Sequence, residues 1–590
     1  MEGHVNQNFI DDTQTDNLHE IKLQSKSYPE QFSIESNGKA TNGTQSNGIY
    51  ANFKEMYGSN KSKFHLFYHI VLHLVLLLYF IFATIHFVRS DSDSLDWANG
   101  FGLLILLYVF GYTLFLYNLS SKFWQTFFTK ISSCFNSNER RSSTFQVLNY
   151  VLTGIFLVGF LVFLFFDTAE ERYRLKCLIG LGAFLVIGFV FSKHHKKIRW
   201  RPVVTGLFLQ VLFGILTIRW TVGRNVFQVF GDKVTQFLNY TSYGAEFIYG
   251  GPLVHGLGDD FPQVFAFATL PTIFFISFMV NILYYYGIMQ AIVTRLGWAL
   301  GSVMGTSTCE SVNSAANIFL GMTESPLLLK PYLQNLTKSE LFSVMTSGFA
   351  TVAGTVLQAY ISFGAEPSHL ITASLMSAPA ALCFSKLIYP ETEKRKATQE
   401  TIVIEETDDT SAIDAATKGA NGGIAIVLGI IANVIAFVAF VAFLNETVCW
   451  FGERVGFKDV TFQYIVAQIF TPISWIMGVD WDECEHVGNL IALKTVVNEF
   501  AAYKELGEMK KKGLLNARSE MIATYAVCGF ANPGSIGIMV GGLTTLIPKS
   551  RETIAELAIR AFISGAIVCF MTACIAGVLI DGREFVKPNY

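Results

Sequence analysis

Two stretches of this chain, about 180 residues apart, carry nearly the same pattern: residues 338–350 read KSELFSVMTSGFA and residues 518–531 read RSEMIATYAVCGFA. Each follows a carboxylate, Glu324 or Glu499, that stands in otherwise apolar sequence. A weak internal repeat with glycine-interrupted hydrophobic segments is typical of secondary transporters, in which broken helices from two halves meet around the substrate. The repeat therefore indicates a protein that moves a small polar molecule across a membrane.

The composition supports a membrane protein. Of the 590 residues, 51% are hydrophobic, 14% aromatic and only 15% charged, which is too apolar for a soluble protein of this length. The net charge of -3 gives no basic surface for nucleic acid, so no nucleic-acid partner is expected. The nine cysteines form no C-x-x-C pair and indicate neither a zinc site nor a disulfide framework. We expect an all-α polytopic membrane protein.

Hydrophobic runs long enough to cross a bilayer of roughly 30 Å set the number of spans. The first 62 residues are rich in Asn, Ser, Gln and Thr and lack apolar clusters, which predicts a disordered tail. No cleavable signal peptide is expected before the first run. Eleven spans follow, near residues 66–88, 97–117, 146–166, 175–191, 203–220, 265–288, 339–363, 421–444, 460–478, 519–541 and 553–580.

The distribution of Lys and Arg predicts the orientation. Basic residues cluster in the loop after the second span and in residues 193–201, whereas acidic residues occupy the linkers at 91–96 and 167–171. Because basic loops stay on the cytoplasmic side, the amino terminus is expected inside the cell and the carboxyl terminus outside, in the plasma membrane. The sequon at Asn239 then faces the outside, where glycosylation takes place.

Two further apolar stretches, residues 305–333 and 484–505, contain too many polar and helix-breaking residues for simple spans. Such backbone survives at membrane depth only as a re-entrant hairpin buried in protein or beside a wet cavity. Residues 369–388, interrupted by Pro379, are expected to be interfacial. Three spans then separate the hairpins, so the two repeats face opposite ways across the membrane. If 369–388 spans instead, the repeats become parallel and the spans number twelve.

Glu324 and Glu499 are the candidate binding residues, because a carboxylate at the bilayer centre costs roughly 2.5–3.5 kcal/mol and is rarely kept there without a function. Ionised carboxylates only accept hydrogen bonds, so they suit a neutral ligand rich in donors, such as sugar hydroxyls or exocyclic amines. Glu340 has a different interpretation, since a Ser-Glu pair before an apolar run predicts a helix start.

Oxygen atoms near the predicted helix breaks suit a small cation. Sodium needs several oxygen ligands, and broken helix ends leave carbonyls free to supply them. The candidates are the side chains of Asn317 and Thr351 and the main-chain carbonyls of Leu320 and Val352.

A second polar cluster lies at the other predicted break. Asn532 and Ser535 stand beside two glycines and a proline, and the Phe530 ring next to them offers a surface for packing a flat ligand. Both clusters are compact, which favours a closed binding site over the continuous polar stripe of a channel.

At these residues the chain resembles the concentrative nucleoside transporter family. Residues 317–327 (NIFLGMTESPL) are similar to the first hairpin motif of that family, residues 498–503 (NEFAAY) to its second, and residues 529–535 (GFANPGS) to its last unwound helix. The resemblance covers roughly residues 175–580 and the three extra amino-terminal spans typical of animal members. Three long motifs in the family's order make a specific signal.

The resemblance implies a homotrimer in which a mobile transport domain moves against a fixed trimerisation scaffold, by an elevator-like form of alternating access. It implies Na⁺ as the coupling ion, a nucleoside as the substrate and no organic cofactor. The residues implied are Met322, Thr323, Glu324 and Val356 for the nucleobase, Glu499, Phe530, Asn532 and Ser535 for the ribose, and Asn317, Leu320, Thr351 and Val352 for sodium. Because the cation would organise the hairpin tip that the base touches, each ligand favours binding of the other.

The same resemblance divides the chain into seven segments. They are a disordered cytoplasmic tail (1–62), three accessory transmembrane helices (63–170), scaffold helices with interfacial segments (171–300), a first hairpin and broken helix of the transport domain (301–368), an interfacial segment with scaffold helices (369–483), a second hairpin and broken helix of the transport domain (484–542), and a last transmembrane helix with an extracellular tail (543–590).

Two positions bear on the substrate and the local backbone. Many family members have Gln where Met322 stands, and Gly-Met here together with Thr-Val at 351–352 resembles the purine-preferring type. This implies uptake of adenosine, guanosine and inosine, with uridine tolerated and cytidine or thymidine poor. Pro533 replaces a residue that is usually a branched aliphatic.

Two other functions remain open on the residues alone. A cation-coupled transporter of another small polar solute would use the same carboxylates and oxygens. An intramembrane enzyme would use Glu324 and Glu499 as a carboxylate pair, but no His or Cys motif accompanies them.

Overall fold

The computed structural model describes residues 61–89, 95–119, 159–257, 263–393, 409–457 and 460–580, apart from single positions at 99 and 161. The predicted tail, except for its last two residues, and most of the span predicted at 146–166 lie outside these ranges. Every regular element within them is helical and none is a β-strand, which confirms the all-α class.

The chain forms two units that divide at residue 124. The first unit contains α1 (Lys61–Arg89) and α2 (Phe101–Leu119). The two helices pack through aromatic side chains, and the stacked rings of Phe87 and Phe101 lie 4.5 Å apart. Many of their large apolar side chains are exposed, as expected of helices that face lipid.

The second unit contains the other helices, with these bounds: α3 Lys176–Val190, α4 Trp200–Gly214, α5 Thr221–Asn239, α6 Thr241–Tyr249, α7 Gly251–His255, α8 Phe265–Ala268, α9 Pro271–Tyr285, α10 Ile288–Met304, α11 Thr308–Ala316, α12 Lys330–Leu333, α13 Lys338–Ala350, α14 Leu357–Ser362, α15 Pro367–Ile388, α16 Ala412–Arg454, α17 Phe462–Met477, α18 Cys484–Val496, α19 Glu499–Lys511, α20 Ala517–Val527, α21 Pro533–Leu546 and α22 Arg551–Leu579. Short 3-10 turns adjoin them at Arg172–Leu175, His195–Lys197, Ser325–Leu329, Gly354–Val356, Trp481–Glu483 and Pro548–Ser550, and a π turn at Ile215–Arg219.

Eight helical stretches within the described ranges are long and apolar enough to cross a membrane. They are Ile70–Arg89, Arg172–Val190, Trp200–Arg219, Phe265–Tyr285, Lys338–Ser362, Pro367–Ile388, Ala412–Arg454 and Pro548–Leu579. Together with the all-helical fold, they confirm a polytopic membrane protein.

The structure corrects the interfacial assignment of residues 369–388. α15 continues as a helix of 22 residues through Pro379, and 89% of its apolar window is buried inside the protein, which is no position for a helix on the membrane surface. Conversely, residues 460–478, which were predicted to span the membrane, form α17, a helix of only 16 residues and so short for a span. Three long stretches therefore still separate the hairpins, namely 338–362, α15 and α16, and the odd number required for inverted repeats is kept.

Two groups of helices repeat the same order of elements. Each group begins with a helix of moderate length (α10 or α17) and continues with two short helical segments joined by a turn. A helix broken near its middle follows (α13 and α14, or α20 and α21), and a long helix ends the group (α15 or α22). We call residues 288–388 the first half and residues 462–579 the second half, and the hairpins are residues 308–333 and 484–511.

The core of the second unit lies where the two halves meet. The final helices of the halves, α15 and α22, pack against each other and against α13. Twelve of the 13 residues of α13 are buried. Polar side chains in this core bond to one another, as do the Ser343 and Ser385 hydroxyls at 2.9 Å, because a buried polar group without a hydrogen-bond partner is costly.

Acidic residues fix the starts of two helices in the first half. Ser307 and Glu310 form a capping box at α11, and Thr337 and Glu340 form another at α13. The predicted helix start at Glu340 is therefore confirmed. Glu310 also forms a buried ion pair with Lys386, with Nζ and Oε2 2.5 Å apart, which ties the first hairpin to α15.

Candidate functional site

The two broken helices meet where each loses its α-helical path, between α13 and α14 and between α20 and α21. The Phe530 N–H donates to the Thr351 carbonyl at 3.2 Å, which joins one break to the other. The Gly354 N–H donates to the Phe319 carbonyl at 3.0 Å, which joins the first break to the first hairpin. Backbone groups freed by the breaks thus bond between elements, as backbone inside a membrane protein requires.

Glu499 lies at the centre of a cluster built from three elements. It is the first residue of α19, and its side chain is buried. Its carboxylate accepts a hydrogen bond from Asn532 Nδ2 at 2.7 Å and a longer one from the Tyr360 hydroxyl at 3.4 Å. The Tyr360 ring stacks on Tyr503, with ring centroids 4.5 Å apart. The positive end of α19 and these neutral donors supply the carboxylate with partners inside the protein.

Asn532 is held in a single orientation by the start of the next helix. Its Oδ1 caps α21 by accepting the Ser535 N–H at 2.8 Å, which leaves its Nδ2 to donate to Glu499. Phe530 and Ser535 are both buried beside it. The structure therefore brings four of the predicted residues into one cluster.

The long helix α16 lies against this cluster. Gly534 has no side chain, and a Cβ there would lie 3.4 Å from the Phe437 ring and 4.0 Å from the Asn433 side chain. The cluster is thus at the boundary between the second half and the pair formed by α9 and α16.

The tip of the first hairpin carries the other predicted carboxylate. Glu324 Oε2 accepts the Gly321 N–H at 3.1 Å. The neighbouring Met322 is buried against α13, where a Cβ on Gly348 would lie only 2.9 Å from its Cβ.

Two further predicted residues flank the tip. Thr323 packs against α21, where a Cβ on Gly542 would lie 3.2 Å from its methyl group. Val356 is buried in the 3-10 turn that resumes the first broken helix. Among the hydrogen bonds of the described residues, none joins the tip to the Glu499 cluster.

A group of buried oxygen atoms faces the break in the first half. Asn313 and Asn317 both donate from Nδ2 to the Ser347 hydroxyl at 2.9 Å. In the described part of the chain, the Oδ1 atoms of both amides accept no hydrogen bond although they are completely buried. Thr351 donates to the Ser347 carbonyl at 3.0 Å, which leaves lone pairs on its own hydroxyl.

The main-chain oxygens predicted for this group lie in the same region. Leu320 and Val352 are buried and stand outside regular helix, so their carbonyls are not used in a helical ladder. An uncompensated buried oxygen is costly. A cation that needs several oxygen ligands fits this donor set.

Some residues of the site were not predicted from the sequence. Tyr360 was missed because nothing local distinguishes it from other tyrosines. Asn313 was missed as an oxygen donor, although its spacing of four residues from Asn317 puts both amides on one face of a helix.

Known protein families match most of the second unit. Residues 179–252 match the model described as "Na+ dependent nucleoside transporter N-terminus", and residues 369–577 match the corresponding C-terminus. Residues 266–367, which contain the first hairpin, match a model described as "Nucleoside recognition".

Relatives and solved structures agree with these models. "Solute carrier family 28 member 3" of Eptatretus stoutii is 40% identical over 564 residues, which are 92% of this chain and 79% of the relative. "Sodium/nucleoside cotransporter 2" of Rattus norvegicus is 40% identical over 498 residues, covering 81% and 74%.

The solved structure of CNTnw in an inward-facing, substrate-bound state has a TM-score of 0.65 and 38% identity, covering 69% of this chain and 98% of that one. A CNTnw variant in an outward-facing state gives a TM-score of 0.65 at 37% identity, with the same coverage. The predicted resemblance is confirmed over nearly the whole chain, and the chain belongs to the Na⁺-dependent nucleoside transporter family.

Proposed function

We propose that this transporter carries purine nucleosides and uridine together with Na⁺, in the site formed by the first hairpin tip and the Glu499 cluster. The observation that carries the proposal is the hydrogen bond between Glu499 and Asn532 at the start of two helices. It leaves a buried carboxylate with spare acceptor capacity and an amide of fixed orientation, which together suit the vicinal hydroxyls of a ribose.

On the ribose side, we assign Phe530 and Ser535 to the same role as Glu499 and Asn532. The Phe530 ring offers an apolar face and the Ser535 hydroxyl can both donate and accept. All four side chains are buried, so a ligand here exchanges water for fixed protein groups.

On the base side, we assign Met322, Thr323, Glu324 and Val356. The carboxylate accepts from ring or exocyclic N–H groups, whereas Met322 and Val356 present apolar surface. A glutamine amide at position 322 would match only one hydrogen-bonding pattern on the edge of the base. Methionine is polarizable and adapts to the larger purine. This supports adenosine, guanosine and inosine as preferred substrates.

For sodium, we assign the side-chain oxygens of Asn317 and Thr351 and the carbonyls of Leu320 and Val352. The buried Oδ1 of Asn317 supports this set because it accepts no bond from any described residue. A cation bound there would join the hairpin to the first broken helix, next to Met322, and would so order the surface that the base contacts. Each charge moved inward gains about 2.3 kcal/mol per 100 mV of membrane potential.

For the whole assembly, we propose a homotrimer in the plasma membrane with a cytoplasmic amino terminus and an extracellular carboxyl terminus. In this arrangement α9 and α16 belong to the scaffold, and the two hairpins with the two broken helices, residues 301–368 and 484–542, form the elevator-like transport domain. Asn239 ends α5 with its side chain exposed, which supports glycosylation on the outer face.

The substrate proposal is tested by uptake of labelled adenosine into cells that express the chain. Replacing external Na⁺ with choline should abolish accumulation above that of control cells. In sodium medium, unlabelled inosine and guanosine should compete strongly, uridine less strongly, and thymidine and cytidine weakly. Competition by thymidine that equals that of inosine would refute the purine preference, and accumulation that is unchanged in choline would refute the sodium site.

A further inference from the structure

A buried lysine in the second hairpin has no role in the site described so far. Lys494 lies near the end of α18, and its side chain is completely buried. Within the described part of the chain, its ammonium group donates no hydrogen bond to an oxygen atom. Because a lone buried ammonium is costly, negative groups nearby must balance its charge.

Several groups around Lys494 supply that negative potential. The Cys569 thiol interacts with the ammonium, and the same sulfur donates to the carbonyls of Cys528 at 3.2 Å and Ala350 at 3.6 Å. These carbonyls lie at the carboxyl-terminal ends of α20 and α13, where a helix carries about half a negative charge. Glu499, five residues further along the chain and across the hairpin turn, is the buried carboxyl group nearest to Lys494 in sequence, and the two groups are close enough to interact electrostatically.

The first half is built differently at the equivalent place. Ser347 corresponds to Cys528, since each directly precedes a Gly-Phe-Ala sequence. Ser347 is contacted by the amides of Asn313 and Asn317 instead of an ammonium group. The buried oxygens of these amides accept no hydrogen bond from a described residue. The second half therefore has the lysine side chain where the first half has the oxygen atoms proposed to bind sodium.

We propose that Lys494 is the fixed counter-charge of Glu499, and that it does for the second half what the sodium ion does for the first. The comparison with sodium rests on the proposed function, whereas the pairing of Lys494 with Glu499 does not. As a side chain of the hairpin itself, the ammonium group stays in the same hairpin as Glu499 whether or not sodium is bound. Sodium then controls the hairpin tip on the other side of the site.

A double-mutant cycle on the purified full-length protein tests the pairing. The variants are Lys494→Met, which keeps the length of the side chain, Glu499→Gln, and the two combined. Lys494→Met should lower the melting temperature because it leaves a buried carboxylate uncompensated. In the Glu499→Gln background, Lys494→Met should lower the melting temperature by about half as much or less, since the carboxylate that the lysine balances is gone. All four proteins are melted in choline buffer without nucleoside, so the result does not depend on transport.

Lys386→Met provides the matched control, because this second buried lysine pairs with Glu310 instead. It should lower the melting temperature equally with and without Glu499→Gln. If Lys494→Met gives no folded protein, recovery of a monodisperse protein in the double variant supports the pairing, and failure to recover it refutes the pairing. Equal losses from Lys494→Met in both backgrounds also refute it, even if sodium-driven uptake by the parent protein is normal.

Discussion

At the scale of single residues, the site depends on where helices begin. Glu499 follows Asn498, whose side chain caps α19, and Asn532 caps α21 in the same way. A cap fixes the first residues of its helix, so the side chains of Glu499 and Asn532 are positioned by local backbone and not by long flexible stems. Their direct hydrogen bond then links two helix starts within the proposed ribose site.

Replacing Glu499 by Gln should abolish most nucleoside uptake. The amide keeps the shape but loses the charge that strengthens bonds to Asn532 and to the ribose, and such bonds contribute about 1.5–3 kcal/mol. We expect roughly a tenfold to hundredfold loss of uptake, measured with labelled adenosine and corrected for protein at the cell surface.

Glu508→Gln is the control for this change, because Glu508 lies on the same helix and pairs with Lys511 at the protein surface. It should leave uptake near the parent value. Parental uptake in the Glu499→Gln variant, at equal surface abundance, would remove Glu499 from the substrate site.

At the scale of elements, the close crossing of the two broken helices depends on a glycine. A Cβ at Gly529 would lie 2.5 Å from Cys569 Sγ and 2.9 Å from the Phe349 carbonyl. Neither the sulfur nor the backbone can move far in a densely packed interior. The glycine therefore permits the hydrogen bond between the breaks, from Phe530 to Thr351.

Gly529→Ala should destabilise the protein by about 1–3 kcal/mol, the usual cost of overpacking. The measurement is the melting temperature of the purified protein, together with sodium-dependent uptake, and both should fall. Gly537→Ala on α21 is the matched control, since nothing lies within 4 Å of a Cβ there. Alanine at Gly537 should be neutral or slightly stabilising because it favours the helix. Equal melting temperatures for the two variants would contradict the close crossing.

At the scale of the whole molecule, α16 differs from the final helices of the two halves. α16 runs for 43 residues, and only 11% of its apolar window is buried, whereas the corresponding windows of α15 and α22 are largely buried. A long, exposed apolar surface beside a buried core suits a scaffold that contacts lipid and other copies of the chain.

If the chain forms the proposed homotrimer, the purified protein should have three times the chain mass of 65.6 kDa. Native mass spectrometry from a mild detergent, or light scattering with the detergent mass subtracted, measures this directly. Lipid nanodiscs provide a control for dissociation by detergent. A single chain per particle in nanodiscs formed from native membranes would refute the trimer.

Local sequence determined much of this protein. The composition gave the membrane class, the capping residues predicted the start of α13, and three motifs identified the family and both carboxylates. These properties depend on neighbours within a few residues, or on a sum over the whole chain. The assignment of individual residues to base, ribose and sodium stays a prediction.

Tertiary structure decided which helices are enclosed by protein and which side chains contact each buried charged group. The sequence predicts an interfacial segment at 369–388 because Pro379 interrupts it, but α15 continues through that proline and is surrounded by protein. The partners of Glu499 stand 139 and 33 residues away in the chain. Packing alone brings Tyr360 and Asn532 to that carboxylate and buries Lys494. The sequence does not show the contacts of Glu499 because they join elements that lie far apart in the chain.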